Sequence, residues 1–374
     1  MMINNDKRHE ATAAIARAPS DPLTFEQVSL QSPKADEVLI KIVASGVCHT
    51  DLVCLHQEIP VPLPMVLGHE GAGIVVEIGS EVKDLSLGDH VVLSFNSCGE
   101  CPSCESELPS YCYTFMENNF SGTRGDGSGT MEQNGKPVSA NFFGQSSFAT
   151  MAIANVRNTV KVRKDLPLET LAPLGCGIQT GAGTVLNSLS VTEANSLAIF
   201  GGGAVGLSAL MAAKMIGAAS IIVIEPLAGR RSLALELGAD HVIDPFAVEN
   251  VVEEIQRIVG GVDFSLEMTG IPEVVRQCID VLKPLGTCAL VGAAPMGAEI
   301  GLNIMEVLVP GRKIIGISEG NSEPRVFIPR LIQDYEAGRF PFDRLIDFFS
   351  FDKLNEACAA QESGQSIKPV VLMK

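Results

Sequence analysis

Between Gly46 and Glu70 a thiol, an imidazole and two carboxylates fall within one short segment. Cys48 and Asp51 lie in Gly46-Val47-Cys48-His49-Thr50-Asp51, and His69 and Glu70 follow a proline-rich spacer. A soft thiolate beside an imidazole and carboxylates suits a borderline-soft cation such as zinc. A second group follows: Cys98, Cys101 and Cys104 recur at every third position, and Cys112 comes after them. Thiols at this spacing let one loop wrap a tetrahedral ion at metal–sulfur distances of about 2.3 Å. Four thiolates would leave such an ion no position for a reactant, so this would be a structural site. A redox dithiol, a pair of disulfides or an iron–sulfur cluster could use the same cysteines. The acidic neighbours Glu100, Glu105 and Glu107 argue against a ribbon that binds DNA. Cys176, set between Gly175 and Gly177, reads in isolation as a small buried hydrophobe rather than a ligand.

A third chemistry begins at Ser196. The apolar run 196–200 reads as a strand and enters Gly201-Gly202-Gly203-Ala204-Val205-Gly206, and a helix is predicted over 207–216. In this context Gly201 makes the turn, Gly203 lets the backbone approach a pyrophosphate, and Gly206 lets helix pack on strand. The helix N-terminus, from Ala204 and Val205 on, offers unpaired N–H groups to the phosphates. The next apolar strand, 220–224, ends at Glu225. A carboxylate there bonds a ribose diol and repels a 2′-phosphate, which favours NAD over NADP. Arg230 and Arg231 follow and pull the other way, and Arg230 joins the candidate cofactor residues.

The elements that position these groups are legible from periodicity. A chain of 374 residues suggests about two domains. Alternating stretches over 11–18, 23–30 and 37–44 read as strands, and 50–56 as a short helix. The segment 59–64 is an extended connector, because its prolines suit neither helix nor central strand. Strands follow at 71–79 and 87–93. The stretch 116–145 shows no period and reads as a long surface excursion ending in Phe142-Phe143-Gly144. From 196 to about 317 strands alternate with helices, the pattern of a doubly wound parallel sheet. A helix over 324–337, another over 353–363 and a terminal strand containing Lys368 read as a return to the first domain.

Composition narrows the partners. A formal charge of −17 disfavours nucleic acid and anionic membrane. The uncharged run 195–213 is long enough to mimic a membrane span, but three consecutive glycines break it into strand, turn and helix. The N-terminus has no apolar core of a signal peptide, so the ten cysteines are expected as ligands or reduced thiols in the cytoplasm.

Together these stretches resemble the zinc-containing alcohol dehydrogenases of the medium-chain dehydrogenase/reductase superfamily, over nearly the whole chain. Segments 46–51, 61–70, 142–148 and 175–183 particularly resemble the bacterial aryl-alcohol (benzyl-alcohol) dehydrogenases. The resemblance implies an α/β protein: a GroES-like, mostly-β catalytic domain plus a Rossmann NAD-binding domain with a doubly wound parallel sheet. The expected limits are 1–177 for the catalytic domain, with a structural-zinc lobe at about 95–115, 178–317 for the NAD domain, and 318–374 for the return.

The resemblance makes Cys48, His69 and Cys176 ligands of a catalytic zinc in the interdomain cleft, and so reverses the isolated reading of Cys176. Glu70 becomes a possible alternate ligand, and Asp51 a partner orienting His69. Cys98, Cys101, Cys104 and Cys112 become ligands of a structural zinc. His49 and Lys368 fall at positions that touch dinucleotide phosphates, and Thr180, Val205 and Val291 at positions beside the nicotinamide. Thr50 takes the proton of the alcohol. Many relatives carry a His three residues after this Thr, where Val53 stands here, so the proton's onward route through the ribose and His49, or by another path, stays open. His56 is not at the relay position.

The expected reaction is oxidation of a primary, aromatic or allylic alcohol to its aldehyde with hydride transfer to NAD. The same fold could instead serve as a formaldehyde or thiol-adduct dehydrogenase, an aldehyde dismutase, or a non-catalytic NAD-binding sensor. Ile59, Met116, Phe142 and Phe143 are the apolar candidates for a substrate pocket. The expected partners are a small hydrophobic alcohol or aldehyde and further copies of the chain, as a homotetramer or, next, a dimer.

Overall fold

The computed structural model describes residues 8–373. The chain forms two compact units. One gathers the chain up to Cys176 with Glu323–Arg330 and the residues from Asp343 on; the other holds Gly177–Ser322 and Leu331–Phe342.

The first unit is built on two sheets. The strand Glu37–Gly46 is the spine of the larger one. It pairs antiparallel with Glu70–Ile78, with Met151–Asn155 and with the terminal strand Lys368–Leu372. This register sets Gly46 opposite both Glu70 and Val370. Three segments distant in sequence therefore converge where the strand ends and Cys48 begins. A Cβ at position 46 would lie 2.0 Å from Glu70 Oε2, so any larger residue would displace the carboxylate that Lys368 holds. The proline spacer brings the chain back through the two-residue strand Met65–Val66, paired with Ile15 and Ala16 of the smaller sheet. Strands Met151–Asn155, Thr159–Val162 and Ile346–Ser350 were not legible from periodicity.

The region 116–145 departs from its expected form. It contains the helix Phe115–Phe120 and the hairpin Met131–Gln133 with Lys136–Val138, which pairs onto the strand Thr24–Leu30. Buried Arg124 ties it down, donating to Glu37 at 2.6 and 2.8 Å and to the Gly129 carbonyl. Elements of three to six residues are too short to display a period, and their pairing is long-range, so the sequence showed only polarity.

In the second unit six parallel strands run in the order His241–Ile243, Ser220–Ile224, Ser196–Phe200, Val262–Glu267, Leu282–Leu290, Lys313–Gly316. The order reverses between Ser196–Phe200 and Val262–Glu267, the point where doubly wound sheets open a crevice for ligands. The uncharged run is the strand Ser196–Phe200, a glycine turn and the helix Ala204–Ile216, which starts three residues earlier than its periodicity indicated. The helix Pro272–Asp280 ends where it does because Leu282 already pairs with Val262 in the sheet. Among the described residues no helix is long and apolar enough to cross a membrane.

Candidate active site

Cys48 caps the helix His49–Leu55 in extended conformation. Asp51, in the first turn, organises what surrounds it. One carboxylate oxygen accepts the Cys48 N–H at 2.9 Å; the other accepts the Gly68 N–H at 3.0 Å and His69 Nδ1 at 2.9 Å. A carboxylate bonded to Nδ1 fixes the imidazole tautomer and leaves Nε2 as a lone pair. That Nε2 is buried and has no hydrogen-bond partner. Ligand atoms of Cys48, His69, Glu70 and Cys176 lie within 4.8 Å of one another, and all four residues are buried. Two thiols and an orphaned imidazole nitrogen make a set that fits zinc.

The electrostatics agree with that fit. The bond with Cys176 holds the Cys48 thiol well below its usual range despite burial, and His69 and Lys368 reinforce it. Burial alone would depress His69, but the negative Asp51 and Cys48 raise it well above its ordinary value, favouring positive charge where a cation would otherwise supply it. Buried sulfur inclined to be anionic calls for a cation. Glu70 is pushed up to about 7 by burial, against the pull of Lys368. The Lys368 ammonium lies 2.9 and 3.0 Å from the two Glu70 oxygens and donates to the Val47 carbonyl. Lys368, expected on the cofactor phosphates, is thus fully buried and occupied by Glu70.

Phe142 and Phe143 stand behind the metal set rather than on an open wall. Phe143 stacks on His69 with ring centroids 4.4 Å apart, Phe142 meets it edge-on at 5.5 Å, and both are buried. Ile59 is half-buried against the core, and Met116 is exposed. Thr50 Oγ1 lies 3.8 Å from Cys48 Sγ, while His49 is exposed. His56 is engaged elsewhere, with Ser20 Oγ at 2.9 Å and Glu362 at 3.1 Å.

Gln145 carried no sequence signal. Its buried amide donates to the carbonyls of His69 (2.8 Å) and Ser94 (3.0 Å), and its oxygen accepts the Gly71 N–H at 3.0 Å. Ser94 Oγ in turn donates to the Gly175 carbonyl at 2.6 Å. This network joins the backbone around His69 to the residue before Cys176. Nothing in the sequence around a lone Gln foretells it; only packing reveals it.

The second cysteine group is local. Sγ of Cys104 lies 3.5 Å from that of Cys101 and 3.9 Å from that of Cys98, and the Cys98 N–H donates to Cys112 Sγ at 3.3 Å. No disulfide joins the described cysteines. Backbone N–H groups, chiefly that of Tyr113, bring Cys101 down to about 6, while burial pushes Cys104 up to about 12.

In the second unit the glycine turn matches its expected geometry. A Cβ at Gly206 would lie 1.8 Å from the Gly201 carbonyl, whereas at Gly203 the only neighbour is an Arg230 nitrogen at 3.9 Å. Gly203 therefore leaves space above the turn, and the buried Arg230 Nε beside it has no hydrogen-bond partner. Glu225 is buried at the end of its strand, where its oxygens accept the N–H groups of Gly202 (2.7 Å) and Leu227 (2.9 Å). Val205 lies in the first turn of the helix Ala204–Ile216, Thr180 sits on the helix Gly177–Gly183, and Val291 follows the strand Leu282–Leu290, its N–H bonded to the Glu267 carbonyl.

Comparison with known proteins converges on the same chemistry. Residues 34–164 match the alcohol dehydrogenase GroES-like domain family, and residues 204–333 the zinc-binding dehydrogenase family. A geraniol dehydrogenase from Castellaniella defragrans is 50% identical over 97% of both chains. The structure of a benzyl alcohol dehydrogenase from Acinetobacter calcoaceticus superposes with a TM-score of 0.95 at 45% identity, covering 98% of this chain and 100% of that one. An alcohol dehydrogenase zinc-binding domain protein from Burkholderia ambifaria gives 0.96 at 48% identity, with the same coverage. The chain belongs to the zinc-containing medium-chain alcohol dehydrogenases. It is an NAD- and zinc-dependent alcohol dehydrogenase, a class for which a Cys₂His zinc set with one position open to substrate is already known.

Proposed function

We propose that this enzyme oxidises a primary allylic or aromatic alcohol to its aldehyde. The geraniol and benzyl alcohol dehydrogenases it resembles act on alcohols of these two kinds. The observation that carries the reading is the buried set of Cys48, His69 and Cys176, in which Asp51 holds His69 by Nδ1 and leaves Nε2 as the donor. These three residues hold the catalytic zinc, and Glu70 is an alternate ligand that Lys368 keeps anchored. Cys98, Cys101, Cys104 and Cys112 hold the structural zinc. When bound, the catalytic zinc supplies Lewis acidity toward the alcohol oxygen.

The chain's own groups do the rest. Asp51 orients the imidazole. The Thr50 hydroxyl, beside Cys48 Sγ, accepts the proton of the alcohol and passes it toward exposed His49. Val53 has no ionisable side chain, and the bonds of His56 to Ser20 and Glu362 leave it outside the route. The glycine turn, Ala204 and Val205 hold the pyrophosphate, with Arg230 beside it. Thr180 and Val291 flank the nicotinamide, and the enzyme orients the two reacting carbons, which is the main protein contribution to hydride transfer.

NADH formation with a panel of geraniol, cinnamyl, benzyl and short aliphatic alcohols tests the substrate class. The reading fails if the aliphatic alcohols give the highest kcat/KM. Glu225→Ala tests the cofactor reading. Removing a charged hydrogen-bond acceptor shifts the NAD/NADP ratio of kcat/KM toward NADP by roughly tenfold or more, and an unchanged ratio means that Glu225 does not select the ribose.

We also propose a cytoplasmic homotetramer. Leu302, Ile304, Met305, Leu308 and Val309 are exposed just before the edge strand Lys313–Gly316, an apolar stretch suited to a subunit contact. Light scattering on the purified enzyme reads its mass directly, and cell fractionation reads its compartment.

A further inference from the structure

The turn after the strand Lys313–Gly316 is strained. Three consecutive residues have positive φ: Glu319 at 49°, Gly320 at 65° and Asn321 at 50°. Glutamate rarely occupies this region, and such strain persists only where the surroundings over-determine it. Here they do. Asn187 donates to the Gly320 carbonyl at 3.1 Å. Ser322 Oγ donates to the Glu319 carbonyl at 2.6 Å and lies 3.1 Å from Gln179 Oε1. A Cβ on Gly183 would sit 2.2 Å from the Gly320 carbonyl. The turn is moulded onto the helix Gly177–Gly183, and its side-chain product is a fixed carboxylate: Thr180 Oγ1 donates to Glu319 Oε2 at 3.4 Å.

The place of that carboxylate follows from the sheet. Gly181 of the same helix packs against the Val205 carbonyl, which a Cβ would approach to 1.9 Å. The Thr180–Glu319 pair therefore lies near the start of Ala204–Ile216, the helix that receives the pyrophosphate. Glu225, at the end of Ser220–Ile224, takes the adenosine half of the dinucleotide on one side of the reversal in strand order. The nicotinamide half then lies over Val262–Glu267, Leu282–Leu290 and Lys313–Gly316. Glu319 follows the last of these strands. The nicotinamide ring is cationic when oxidised and neutral when reduced, so a fixed carboxylate beside it attracts only the oxidised form.

We propose that Glu319, oriented by Thr180 on its strained turn, sits beside the nicotinamide and makes the enzyme bind NAD in preference to NADH. The proposal rests on the NAD-binding reading of this unit. It gives the carboxylate a purpose in turnover: NADH loses this attraction once the hydride has arrived and leaves more readily.

Binding of NAD, NADH and ADP-ribose is measured by calorimetry on the zinc-loaded wild type and on Glu319→Gln, Glu319→Asp and Thr180→Val. Glu319→Gln weakens NAD roughly tenfold relative to NADH, equivalent to about 30 mV in the potential of the bound two-electron couple. ADP-ribose, which lacks the nicotinamide, binds as to wild type. Glu319→Asp keeps most of the preference, and Thr180→Val loses part of it. An unchanged NAD/NADH ratio in Glu319→Gln overturns the proposal. So does an equal weakening of all three ligands, which is the signature of a merely structural turn. If Glu319→Gln does not fold, an unchanged ratio in Thr180→Val overturns it. Wild type that fails to bind ADP-ribose refutes the cofactor reading itself.

Discussion

The enzyme carries two sulfur clusters made on opposite plans. Cys98, Cys101, Cys104 and Cys112 come from one short loop, three of them half-exposed, and sulfur is the only donor. Cys48, His69 and Glu70 come from strand ends brought together by pairing, Cys176 comes from the end of the short helix Ala172–Gly175, and all are buried. In the loop the donors are oriented chiefly by neighbouring backbone, as in the Tyr113 and Cys98 N–H bonds to sulfur. In the buried set they are oriented by side chains from elsewhere: Asp51 on His69, Lys368 on Glu70, Gln145 and Ser94 on the backbone. A self-contained loop of four thiolates would saturate an ion and stabilise its lobe. A set borrowed from several elements can leave a position open and hold it dry, which is what a reactive ion needs.

The largest expected effect comes from exchanging losses between the two clusters. Cys48→Ala lowers kcat/KM by roughly 10³-fold or more, as several kcal/mol of charge stabilisation disappear, and removes one of two zincs with little change in thermal midpoint. Cys101→Ala removes the other zinc and lowers the midpoint, while the fraction that stays folded keeps most of its kcat. Equal losses of activity in the two variants would erase the distinction.

A smaller effect sharpens the role of borrowed orientation. Asp51→Asn lowers the affinity of the buried site for zinc by about 10- to 100-fold, because the imidazole loses its fixed tautomer. Zinc release to a chelator then shows one fast and one unchanged phase; two unchanged phases would mean that Asp51 does not position His69.

The smallest effect separates the thiols of the demetallated loop. The thiolate is the nucleophile, so alkylation of Cys101 accelerates as pH climbs through about 6 and levels off above it, a change of about fivefold over the last unit below. Cys104 stays protonated up to about 12 and reacts slowly across the same range. Mass spectrometry of partly alkylated protein reads the order, and earlier labelling of Cys104 would reverse the assignment.

The two clusters also differ in how far they could be read before folding. The loop was legible as a cluster of thiols, because the spacing that gathers its four sulfurs is local. The glycine turn at Gly201–Gly206 was legible too, because strand, turn, helix and Glu225 occur in fixed succession. The buried site was legible only in part. Cys48 and His69 stood out by type, whereas Cys176 alone looked like an ordinary buried thiol and needed a family resemblance to be chosen. Lys368 was expected on a phosphate and lies against Glu70. Phe142 and Phe143 were expected at a pocket and pack behind His69. Gln145 and Glu319 gave no signal at all, since a lone polar residue acquires meaning only from what it touches.

Local order along the chain thus marked the candidates for this protein's chemistry: which segment gathers four thiols, which glycine turn leads a strand into a helix, and where strands alternate with helices. These are short-range properties, encoded in spacing and period. Tertiary structure alone decided the assembly of the buried site, because the antiparallel register of Glu37–Gly46 with Glu70–Ile78 and Lys368–Leu372 brings Cys48, Glu70 and Lys368 together. Long-range pairing is a property of two segments at once, and neither segment carries it by itself.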